Sequence, residues 1–591
     1  MHGFHGKILR IDLSERKATD ERVPDEVLRQ YLGGKGLATY LLLQHLPAGI
    51  DPLSPENKLI FATGPAADTT VPAASRYGVF AKSPQTGGFG ESYSGGHTAA
   101  AMKRTGYDAF MIEGAAREPV YLHISDQGVD FGDASDLWGL ESYAAEDALL
   151  ERAGGDDDPQ ALVIGPAGEK MVAFACIKNN YWRSAGRTGL GAVMGSKRLK
   201  GIVFSGSKKA PLADAQLLQD YVKNLIDTCL DTERTHLLRE RGTPWMVTRA
   251  NVKEAFPTRY WAEGSFDRWE GISSDAMLEN MDVKPRACRR CFMACGKLSR
   301  VTRGRHKGLV LEGPEYETIY ALGGLCCIDE IEEVVYLNDI CDRLGLDTIT
   351  AGNIAGFAIE AGKRGRLSGM PDYGDVDGIA RLLENIASKE GPGQILSEGV
   401  KKASEELGLE DLAVHVKGLE PAGYDPRTLT GMSLGYAVSV RGACHLRSSF
   451  YMAELRGEIS REQIEGKAEA FVNYENRNTL EDCLVLCRFY QQFIGWEGMQ
   501  TIIRATTGLD LSRKEMAALA SGVTTLARHF NLREGWTSED DTLPSRLFRE
   551  PIGQKRELAI TEQDLNVMLQ EYYRLHNWDE KGIPRDTGIP M

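Results

Sequence analysis

The sequence has 591 residues, 42% of them hydrophobic and 26% charged, and its formal net charge is −15 at pH 7. A chain of this length needs several cores, because single cores stop growing near about 250–300 residues; the negative charge makes a nucleic-acid partner unexpected. No apolar run approaches the roughly 18 residues of a membrane span, and the start MHGFHGKILRIDLS lacks a signal-peptide core, so we expect a cytoplasmic protein.

Short apolar runs bounded by Gly, Pro, Ser and Asp dominate residues 1–208 and are typical of β-strands. The runs are GKILRIDLS, KLIFATGP, RYGVFAKS, DAFMIEG, VYLHISD, QALVIGPAG and KGIVFSG. Helical spacing is rare in this part of the chain. We therefore predict a β-rich domain over 1–208 with few helices.

Two glycine-rich loops within 1–208 carry arginines. One is ASRYGVFAKSPQTGGFGESYSGGH, with Arg76, and the other is RSAGRTGLGAVMGSKRLKG, with Arg183 and Arg187. Glycine allows positive φ and close backbone approach, so backbone N–H groups can surround an anion. Tight turns between strands are the alternative. Neither loop fits the G-x-x-x-x-G-K-[ST] phosphate loop.

Apolar residues recur at helical spacing from about residue 209 almost to the end of the sequence. The clearest segments are IEEVVYLNDICDRLG, NIAGFAIEAGKRG, GIARLLENIAS, EMAALASGVTTLARHF and ITEQDLNVMLQEYYRLHNW. The stretch VHVKGLEPAGYDPRTLTG interrupts them near residue 415. We predict an α+β fold with helical domains over 209–415 and 416–591.

Three of the eleven cysteines lie close together in RACRRCFMACGK, at Cys288, Cys291 and Cys295. Three cysteines on one loop plus one distant cysteine fit a [4Fe–4S] cluster. Structural zinc sites more often take two C-x2-C pairs, or a Cys pair with a His pair. Zinc and unligated cysteines remain the alternatives. Spacing alone does not choose the fourth ligand among Cys326, Cys327, Cys341, Cys444, Cys483 and Cys487.

The segment DRLGLDT predicts the end of one helix and the start of another. Gly345 stands where a glycine follows a helix C-terminus, and Asp347 or Thr348 is a good N-cap for the next helix. Asp342 and Asp347 flank the turn. Helix capping is the ordinary role for such residues, and a helix N-terminus also binds anions.

Nine motifs in one order make the chain resemble the aldehyde ferredoxin oxidoreductase family of tungsten-pterin enzymes. They are GKILRIDLS, YLGGKGLATYLL, SRYGVFAKSP, GRTGLGAVMGSKRLKGIV, the C-x2-C-x3-C loop, EGPEYET, DRLGLDT, RGACHLRS and FNLREGWTSEDDTLPSR. The resemblance covers nearly the whole chain. It implies oxidation of an aldehyde to a carboxylic acid by a tungsten bis-pterin buried between a pterin-binding 1–208 domain and the helical domains. A [4Fe–4S] cluster and a magnesium ion on the pterin phosphates are also implied.

The resemblance assigns ligands as well. A D-x-x-G-x-C motif maps to 482–487 and makes Cys487, not Cys483, the fourth cluster ligand with Cys288, Cys291 and Cys295. A D-x-x-G-L-[DC] motif maps to 342–347. The implied cofactor-binding residues are Arg76, Ser94, Gly95, Gly96, Arg183, Ser184, Gly186, Arg187, Gly189, Asp342, Gly345, Leu346, Asp347, Asp482 and Leu486.

The implied catalytic residues lie in EGPEYET and RGACHL. Attack of water on the aldehyde carbon needs a base for the water and a donor for the carbonyl oxygen. Glu317 is preferred over Glu315, with His445 as its partner and Tyr424 as a third candidate. We expect burial to raise the carboxyl pKa and a hydrogen bond from the histidine to oppose this. A core histidine and a helix cap are the alternatives.

Three positions depart from the family pattern. Val485 replaces the usual glycine of the second motif, so we expect this turn to avoid positive φ. Tyr93 replaces an asparagine near the magnesium, which puts that contact in doubt. Val335 and Tyr336 stand where an E-x-x-H histidine would fall after Glu332 and Glu333. Any oligomer is therefore expected to lack the bridging iron of some relatives.

Residues 284–307 carry nine Lys and Arg and no Asp or Glu. Compensation of cluster thiolates needs only one or two of these cations. We therefore predict a basic docking patch for ferredoxin or an iron–sulfur subunit, with a solvated loop as the alternative. Two other functions stay open. One is low-potential reduction by the same cofactor, as in benzoyl-coenzyme A reductases, and the other is a non-enzymatic iron–sulfur electron carrier.

Overall fold

The computed structural model describes residues 1–154, 158–555 and 557–585. Its strands are β1 Lys7–Asp12, β2 Lys17–Arg22, β3 Leu59–Ala62, β4 Tyr77–Lys82, β5 Phe89–Ser94, β6 Ala109–Glu113, β7 Val120–Ser125, β8 Gly128–Asp133, β9 Gln160–Val163, β10 Ile177–Asn179, β11 Arg183–Ala185, β12 Leu199–Phe204, β13 Met281–Arg286, β14 Gly296–Val301 and β15 Val310–Glu312.

The strands form three sheets. One has the order β2-β1-β6-β3-β4-β5, a second β11-β10-β9-β12-β7-β8, and a third β13-β14-β15. Neighbouring strands are antiparallel except β1 with β6 and β12 with β7. Each run predicted as a strand contains one, because short apolar segments between turn residues can be buried on a sheet.

The helices are α1 Asp25–Tyr31, α2 Gly34–His45, α3 Thr98–Arg104, α4 Ser142–Ala153, α5 Pro166–Glu169, α6 Leu190–Ser196, α7 Ala215–Cys229, α8 Glu233–Arg241, α9 Met246–Val252, α10 Ser274–Asn280, α11 Tyr316–Thr318, α12 Ile331–Leu344, α13 Thr348–Lys363, α14 Val376–Ser388, α15 Gly393–Leu396, α16 Gly399–Leu407, α17 Thr430–Val438, α18 Tyr451–Arg456, α19 Lys467–Leu484, α20 Gln491–Thr507, α21 Arg513–Arg533, α22 Ser545–Arg549 and α23 Glu562–Leu575. A π-helical turn, Ile319–Gly324, follows α11.

The predicted α+β fold is confirmed, with two corrections of detail. The N-terminal part holds α1 to α6 and is not poor in helix. Several of these helices are short and glycine- or alanine-rich, so they show little amphipathic periodicity. The third sheet lies within the segment expected to be helical. Its strands are polar on their exposed sides and pair only with one another.

Strand pairing brings three candidate segments to strand ends. Tyr77 in β4 pairs with Ser94 in β5, so Arg76 and Gly95 lie at the same end of this pair. Arg286 in β13 pairs with Gly296 in β14. The hairpin loop 287–295 between them holds Cys288, Cys291 and Cys295. A hairpin loop thus presents all three thiols from one short segment.

The boundaries at 208 and 415 remain predictions. The last strand of the first two sheets ends at Phe204 and the next helix begins at Ala215. The largest apolar core takes residues from Ala167 to Trp578, so it draws on all three predicted domains. Within the described residues, no helix is both long and apolar enough to cross a membrane.

Candidate active site

A cavity of about 710 Å³ lies where the sheets meet the helical part of the chain. Most of the predicted site residues line it, namely Arg76, Ser94, Gly95, Arg183, Ser184, Gly186, Arg187, Cys288, Cys291, Cys295, Glu315, Glu317, Asp342, Leu346, Asp347, Tyr424, His445, Asp482, Leu486 and Cys487. The wall thus combines four thiols, several carboxyls and several guanidinium groups.

The four predicted cluster cysteines share this cavity although Cys487 is almost two hundred residues from the others. The Gly96 N–H donates to Cys288 Sγ at 3.3 Å, and Cys291 Sγ contacts the Tyr490 hydroxyl at 3.2 Å. Cys483, the rejected candidate, is buried in the apolar core and does not line the cavity. Within the described residues, no group of three or more His, Cys, Asp or Glu side chains is arranged so that it could hold a metal ion.

Arg76 lies among these thiols. Burial works to lower the pKa of its guanidinium, but Cys487 and Cys288 raise it above the ordinary value, and Arg76 also hydrogen-bonds Cys487. Arg183 behaves in the same way, since Cys288 and Glu312 raise its pKa against burial. Two guanidinium groups therefore lie close to the cluster cysteines.

The first predicted turn, 342–347, follows α12. Gly345 has φ 79° and ψ 45°, and the Leu346 N–H donates to the Cys341 carbonyl at 2.8 Å. Asp347 caps α13 by accepting from the Ile349 N–H at 3.1 Å, so the helix-capping positions predicted for Gly345 and Asp347 are confirmed.

Both acidic residues of this turn have cationic partners. Lys178 donates to Asp342 and to Ser184, and its side chain is fully buried. Asp347 lies 2.9 Å from Arg187 Nε. Burial raises the pKa of Asp342, and Lys178 opposes the rise. The turn thus joins the helical part of the chain to β10 and to the loop after β11.

The second predicted turn, 482–487, follows α19 and corrects one expectation. Val485 does not avoid positive φ but has φ 54° and ψ 47°. The reason is local, because the Leu486 N–H donates to the Glu481 carbonyl at 2.8 Å and this helix ending needs a left-handed residue. A β-branched residue in this region costs about 1–3 kcal/mol.

Asp482 pairs with two arginines. Arg447 Nη1 lies 2.5 Å from Asp482 Oδ2 and 3.0 Å from Glu91 Oε2. Arg488 Nη2 lies 2.7 Å from Asp482 Oδ1. Tyr93 contacts the same group, since its hydroxyl donates to Glu91 at 2.8 Å. A network of buried charges therefore surrounds this turn.

Four glycines, at positions 95, 96, 186 and 189, are expected near the pterin phosphates. Gly95 and Gly186 line the cavity, whereas Gly96 and Gly189 do not. Gly189 has φ 71°, and a Cβ there would lie 1.9 Å from the Ala173 carbonyl oxygen. Close packing of Gly189 against Ala173 is therefore sufficient to explain the glycine at this position.

Glu317 and His445 form the predicted pair. Glu317 Oε1 lies 3.3 Å from His445 Nε2, and Glu317 Oε2 accepts from the Gly423 N–H at 2.9 Å. Burial raises the pKa of Glu317 to about 8, whereas burial and Arg441 hold the pKa of His445 well below its usual value. Both shifts disfavour charge, so at pH 7 this contact joins a neutral acid to a neutral imidazole. The expected rise in the carboxyl pKa is thus found.

The two candidate glutamates are separated. Glu315 accepts a hydrogen bond from the Thr243 hydroxyl and lies near Cys295, whose pKa it raises together with burial. It therefore faces the thiols, while Glu317 faces His445. The ring of Tyr424 lies 5.4 Å from His445 and stacks at 3.9 Å on Tyr451.

Several residues of the site were missed in the sequence. These are Glu91, Tyr451, Arg441 and Arg447. Arg441 and Arg447 flank His445 in VRGACHLRS, and arginines on both sides of a candidate histidine were an available signal. Glu91 and Tyr451 gave none, because they reach the site only through tertiary packing.

The basic segment 284–307 is not a uniform patch. Lys297 is buried, and Arg303 pairs with Glu332 at 2.9 Å. Arg305 pairs with Glu333 and Asp377, each at 2.7 Å. Acidic neighbours distant in sequence thus neutralise part of the charge. The docking patch stays a prediction, and Arg303 and Arg305 are poor choices for testing it.

Two family models match the chain. One, described as "Aldehyde ferredoxin oxidoreductase, N-terminal domain", matches residues 8–206. The other, described as "Aldehyde ferredoxin oxidoreductase, domains 2 & 3", matches residues 220–589. Together they cover nearly the whole sequence.

Similar proteins extend over the full length. The tungsten-containing aldehyde ferredoxin oxidoreductases of Pyrococcus furiosus and Thermococcus kodakarensis are each 35% identical to the chain, covering 99% of it and 98% of their own sequences. The aliphatic sulfonate oxidoreductase, WOR-like subunit, of Pyrococcus furiosus is 31% identical, covering 99% of the chain and 96% of its own.

One solved structure shares the fold. It is the active site complex BamBC of benzoyl coenzyme A reductase in complex with 1,5-dienoyl-CoA, with a TM-score of 0.83 at 22% identity, covering 99% of this chain and 96% of that one. The family models and the full-length relatives agree with the order of motifs in the sequence. The chain therefore belongs to the aldehyde ferredoxin oxidoreductase family.

Proposed function

We propose that the protein is a tungsten-dependent oxidoreductase that converts an aldehyde and water to a carboxylic acid, two protons and two electrons. The observation that carries the proposal is the contact between Glu317 and His445 on the wall of the cavity that also holds four cysteines. An acid–base pair and an electron-transfer group are the two parts that this reaction requires. The relatives, tungsten-containing aldehyde ferredoxin oxidoreductases, support the same substrate class.

The cavity residues fit an anionic pterin cofactor. The Nε atoms of Arg441 and Arg447 are buried without a hydrogen-bond acceptor, so their cationic groups can take additional anionic partners. The turns 342–347 and 482–487 would hold the two pterins, with Arg76, Arg183, Ser94 and Gly95 beside their polar groups. A magnesium ion between the pterin phosphates is part of the proposal.

Cys288, Cys291, Cys295 and Cys487 would hold a [4Fe–4S] cluster. When bound, the tungsten–pterin centre would supply the two-electron acceptor and the cluster a one-electron carrier toward ferredoxin or an iron–sulfur partner. Arg76 would stabilise the cluster by donating to Cys487 and would shield its charge from the cavity.

Glu317 would take the proton of the water, with His445 positioning it. The Gly423 N–H fixes one carboxyl oxygen and leaves Oε1 toward His445. In its ionised form Glu317 accepts a proton from the attacking water, and the contact with His445 Nε2 keeps the carboxyl oriented for this step. The Tyr424 hydroxyl, whose pKa burial raises well above its usual value, stays protonated and can donate to the aldehyde oxygen.

The deciding experiment uses the purified holoprotein, metal analysis and anaerobic reduction of a viologen dye. We expect tungsten near one per chain and reduction of the dye that depends on an aldehyde. Aldehyde-independent electron transfer without tungsten would instead support an iron–sulfur carrier. Reduction of an aromatic thioester with no aldehyde oxidation would support a low-potential reductase.

A further inference from the structure

One end of the cavity is lined by arginines that the proposed reaction does not use. Arg234 lies on α8, Arg456 ends α18 and Arg477 lies on α19, and all three line the cavity. Three helices that are distant in sequence thus bring guanidinium groups to one region. The mechanism described above gives none of them a role.

The charge of these arginines is incompletely balanced. Arg234 Nη2 donates to the Phe489 carbonyl at 3.5 Å, and Arg477 lies over the Tyr474 ring at 5.0 Å. The Nε atoms of both arginines are buried without a hydrogen-bond partner. Within the described ranges, neither forms an ion pair, and Arg456 has a long contact of 3.5 Å with the exposed Glu458.

The guanidinium group of Arg456 also repels those of Arg234 and Arg477. Burial and Arg456 lower the pKa of Arg234, and burial lowers the pKa of Arg477 with Arg488 and Arg456 adding to the effect. Glu481 opposes the shift of Arg477, but it already lies 2.6 Å from Arg488. A bound anion would relieve this repulsion and supply the missing hydrogen-bond acceptors.

This cationic region is one side chain away from the catalytic pair. The Tyr451 ring lies 5.7 Å from His445 and stacks on Tyr424. Burial raises the pKa of Tyr451 to about 12, while Arg234 and Arg456 work to lower it. A short molecule with its carbonyl at His445 could therefore place its other end at the arginines.

Neutralisation of the cofactor is the competing explanation. It suits Arg76 and Arg183, whose pKa values are raised by cluster cysteines against the effect of burial. Arg234 also feels Cys487, although less than burial, Arg456 and Tyr451. The groups that act on Arg477 are Glu481, Tyr474 and two other arginines, with no cysteine among them. Cofactor charge therefore does not account for the whole group.

We propose that Arg234, Arg456 and Arg477 bind the anionic end of the substrate, which is an aldehyde carrying a carboxylate, sulfonate or phosphate. Leu238, Met246 and Met452 line the same cavity and provide apolar surface for the carbon chain between the two ends. This inference rests on the proposed aldehyde oxidation and adds the substrate class to it.

The first test compares matched substrates on the holoenzyme. The kcat/KM for 4-oxobutanoate should exceed that for butanal at least about tenfold. Arg477→Gln and Arg234→Gln should each lower the ratio of the two values by about 10- to 100-fold, the range for a hydrogen bond to a charged group. Arg477→Lys should keep part of the ratio, because it keeps the charge. Sulfoacetaldehyde and glyceraldehyde 3-phosphate then identify which anion is preferred.

The matched control is Arg303→Gln, because Arg303 is exposed and pairs with Glu332 far from the cavity wall. Its ratio should equal that of the parent protein. The proposal would be overturned if kcat/KM for butanal equalled that for each anionic aldehyde. It would also be overturned if the ratio of kcat/KM values stayed unchanged in Arg477→Gln and Arg234→Gln.

A second test needs no turnover. Isothermal titration should detect binding of succinate to the holoenzyme and weaker or no binding of butyrate, with the difference lost in Arg477→Gln. Equal binding of the two acids would overturn the anion subsite. If succinate binds selectively but no aldehyde is oxidised, the proposed function fails while the anion subsite stands.

Discussion

The turns 342–347 and 482–487 have nearly the same backbone and different chemistry. Each follows a long helix and has a left-handed fourth residue, Gly345 or Val485. In each, the N–H of the fifth residue donates at 2.8 Å to the carbonyl five residues earlier. Local hydrogen bonds therefore fix the shape of both turns, whichever residue occupies the fourth position.

The side chains of the two turns take their partners from different parts of the chain. Asp342 pairs with Lys178 and Asp482 with Arg447 and Arg488. The last residue of the first turn is Asp347, beside Arg187, and that of the second is Cys487, beside Arg76. One helix ending can thus present a carboxylate or a thiol to the same cavity.

The largest predicted effect concerns the last residue of each turn. Cys487→Ala should lose the iron and visible absorption of the cluster, because a proposed ligand is removed. Asp347→Ala, at the matched position of the first turn, should keep both. Iron analysis and absorption spectra of the purified variants measure the difference.

Cys483→Ala is the control for Cys487→Ala. Cys483 is buried in the core and does not line the cavity, so this variant should keep its iron. Loss of iron from the Cys483 variant and retention by the Cys487 variant would show that the second turn was aligned in the wrong register.

The next effect concerns the catalytic pair. Glu317 precedes the turn 342–347 in the sequence, and His445 precedes the turn 482–487. Glu317→Gln and His445→Ala should keep tungsten and iron and lose roughly two to four orders of magnitude in turnover. Because the pKa of Glu317 is about 8 and its ionised form acts as the base, kcat/KM should rise with pH up to about 8 and then level off. The residual activity of Glu317→Gln should lack this inflection.

Glu315→Gln is the matched control, since Glu315 hydrogen-bonds Thr243 and does not contact His445. Its pH profile should keep the inflection near 8. Full activity in Glu317→Gln together with a large loss in Glu315→Gln would transfer the role of base to Glu315.

A smaller effect distinguishes the first residues of the turns. Asp342→Asn leaves the fully buried Lys178 without its carboxylate, and removing one partner of a buried ion pair costs about 3–5 kcal/mol. Asp482→Asn should cost less, because Arg447 keeps Glu91 at 3.0 Å and Arg488 keeps Glu481 at 2.6 Å. Thermal unfolding of both variants under one set of conditions gives the order, and a larger loss in Asp482→Asn would contradict it.

The smallest effect is expected at the fourth position. Val485→Gly removes about 1–3 kcal/mol of backbone strain but loses a buried side chain worth about 1.5–3 kcal/mol. The free energy of unfolding should therefore change by only about 1 kcal/mol. Gly345→Val should be clearly destabilising, because a Cβ at Gly345 would lie 3.0 Å from the Gly165 nitrogen. Thermal melts of the pair test this asymmetry, and equal losses would contradict it.

The sequence alone predicted features that depend on neighbouring residues. Apolar runs between turn residues correctly predicted seven strands, namely β1, β3, β4, β6, β7, β9 and β12. Helical spacing correctly predicted α12 to α14, α21 and α23. Helix α13 begins after Asp347 as its capping pattern predicts. The third sheet was missed, because strands that pair mainly with one another and stay partly exposed carry little apolar pattern.

Only the tertiary structure decided which side chains meet. The resemblance had favoured Glu317 over Glu315, but the contact of Glu317 with His445 depends on how α11 faces the following chain segments. Arg234, Arg456 and Arg477 come from three helices, so no sequence window contains them together. Local hydrogen bonding and apolar periodicity depend on residues close together in the sequence. Burial, charge balance and pKa depend on neighbours that the chain brings together only when folded.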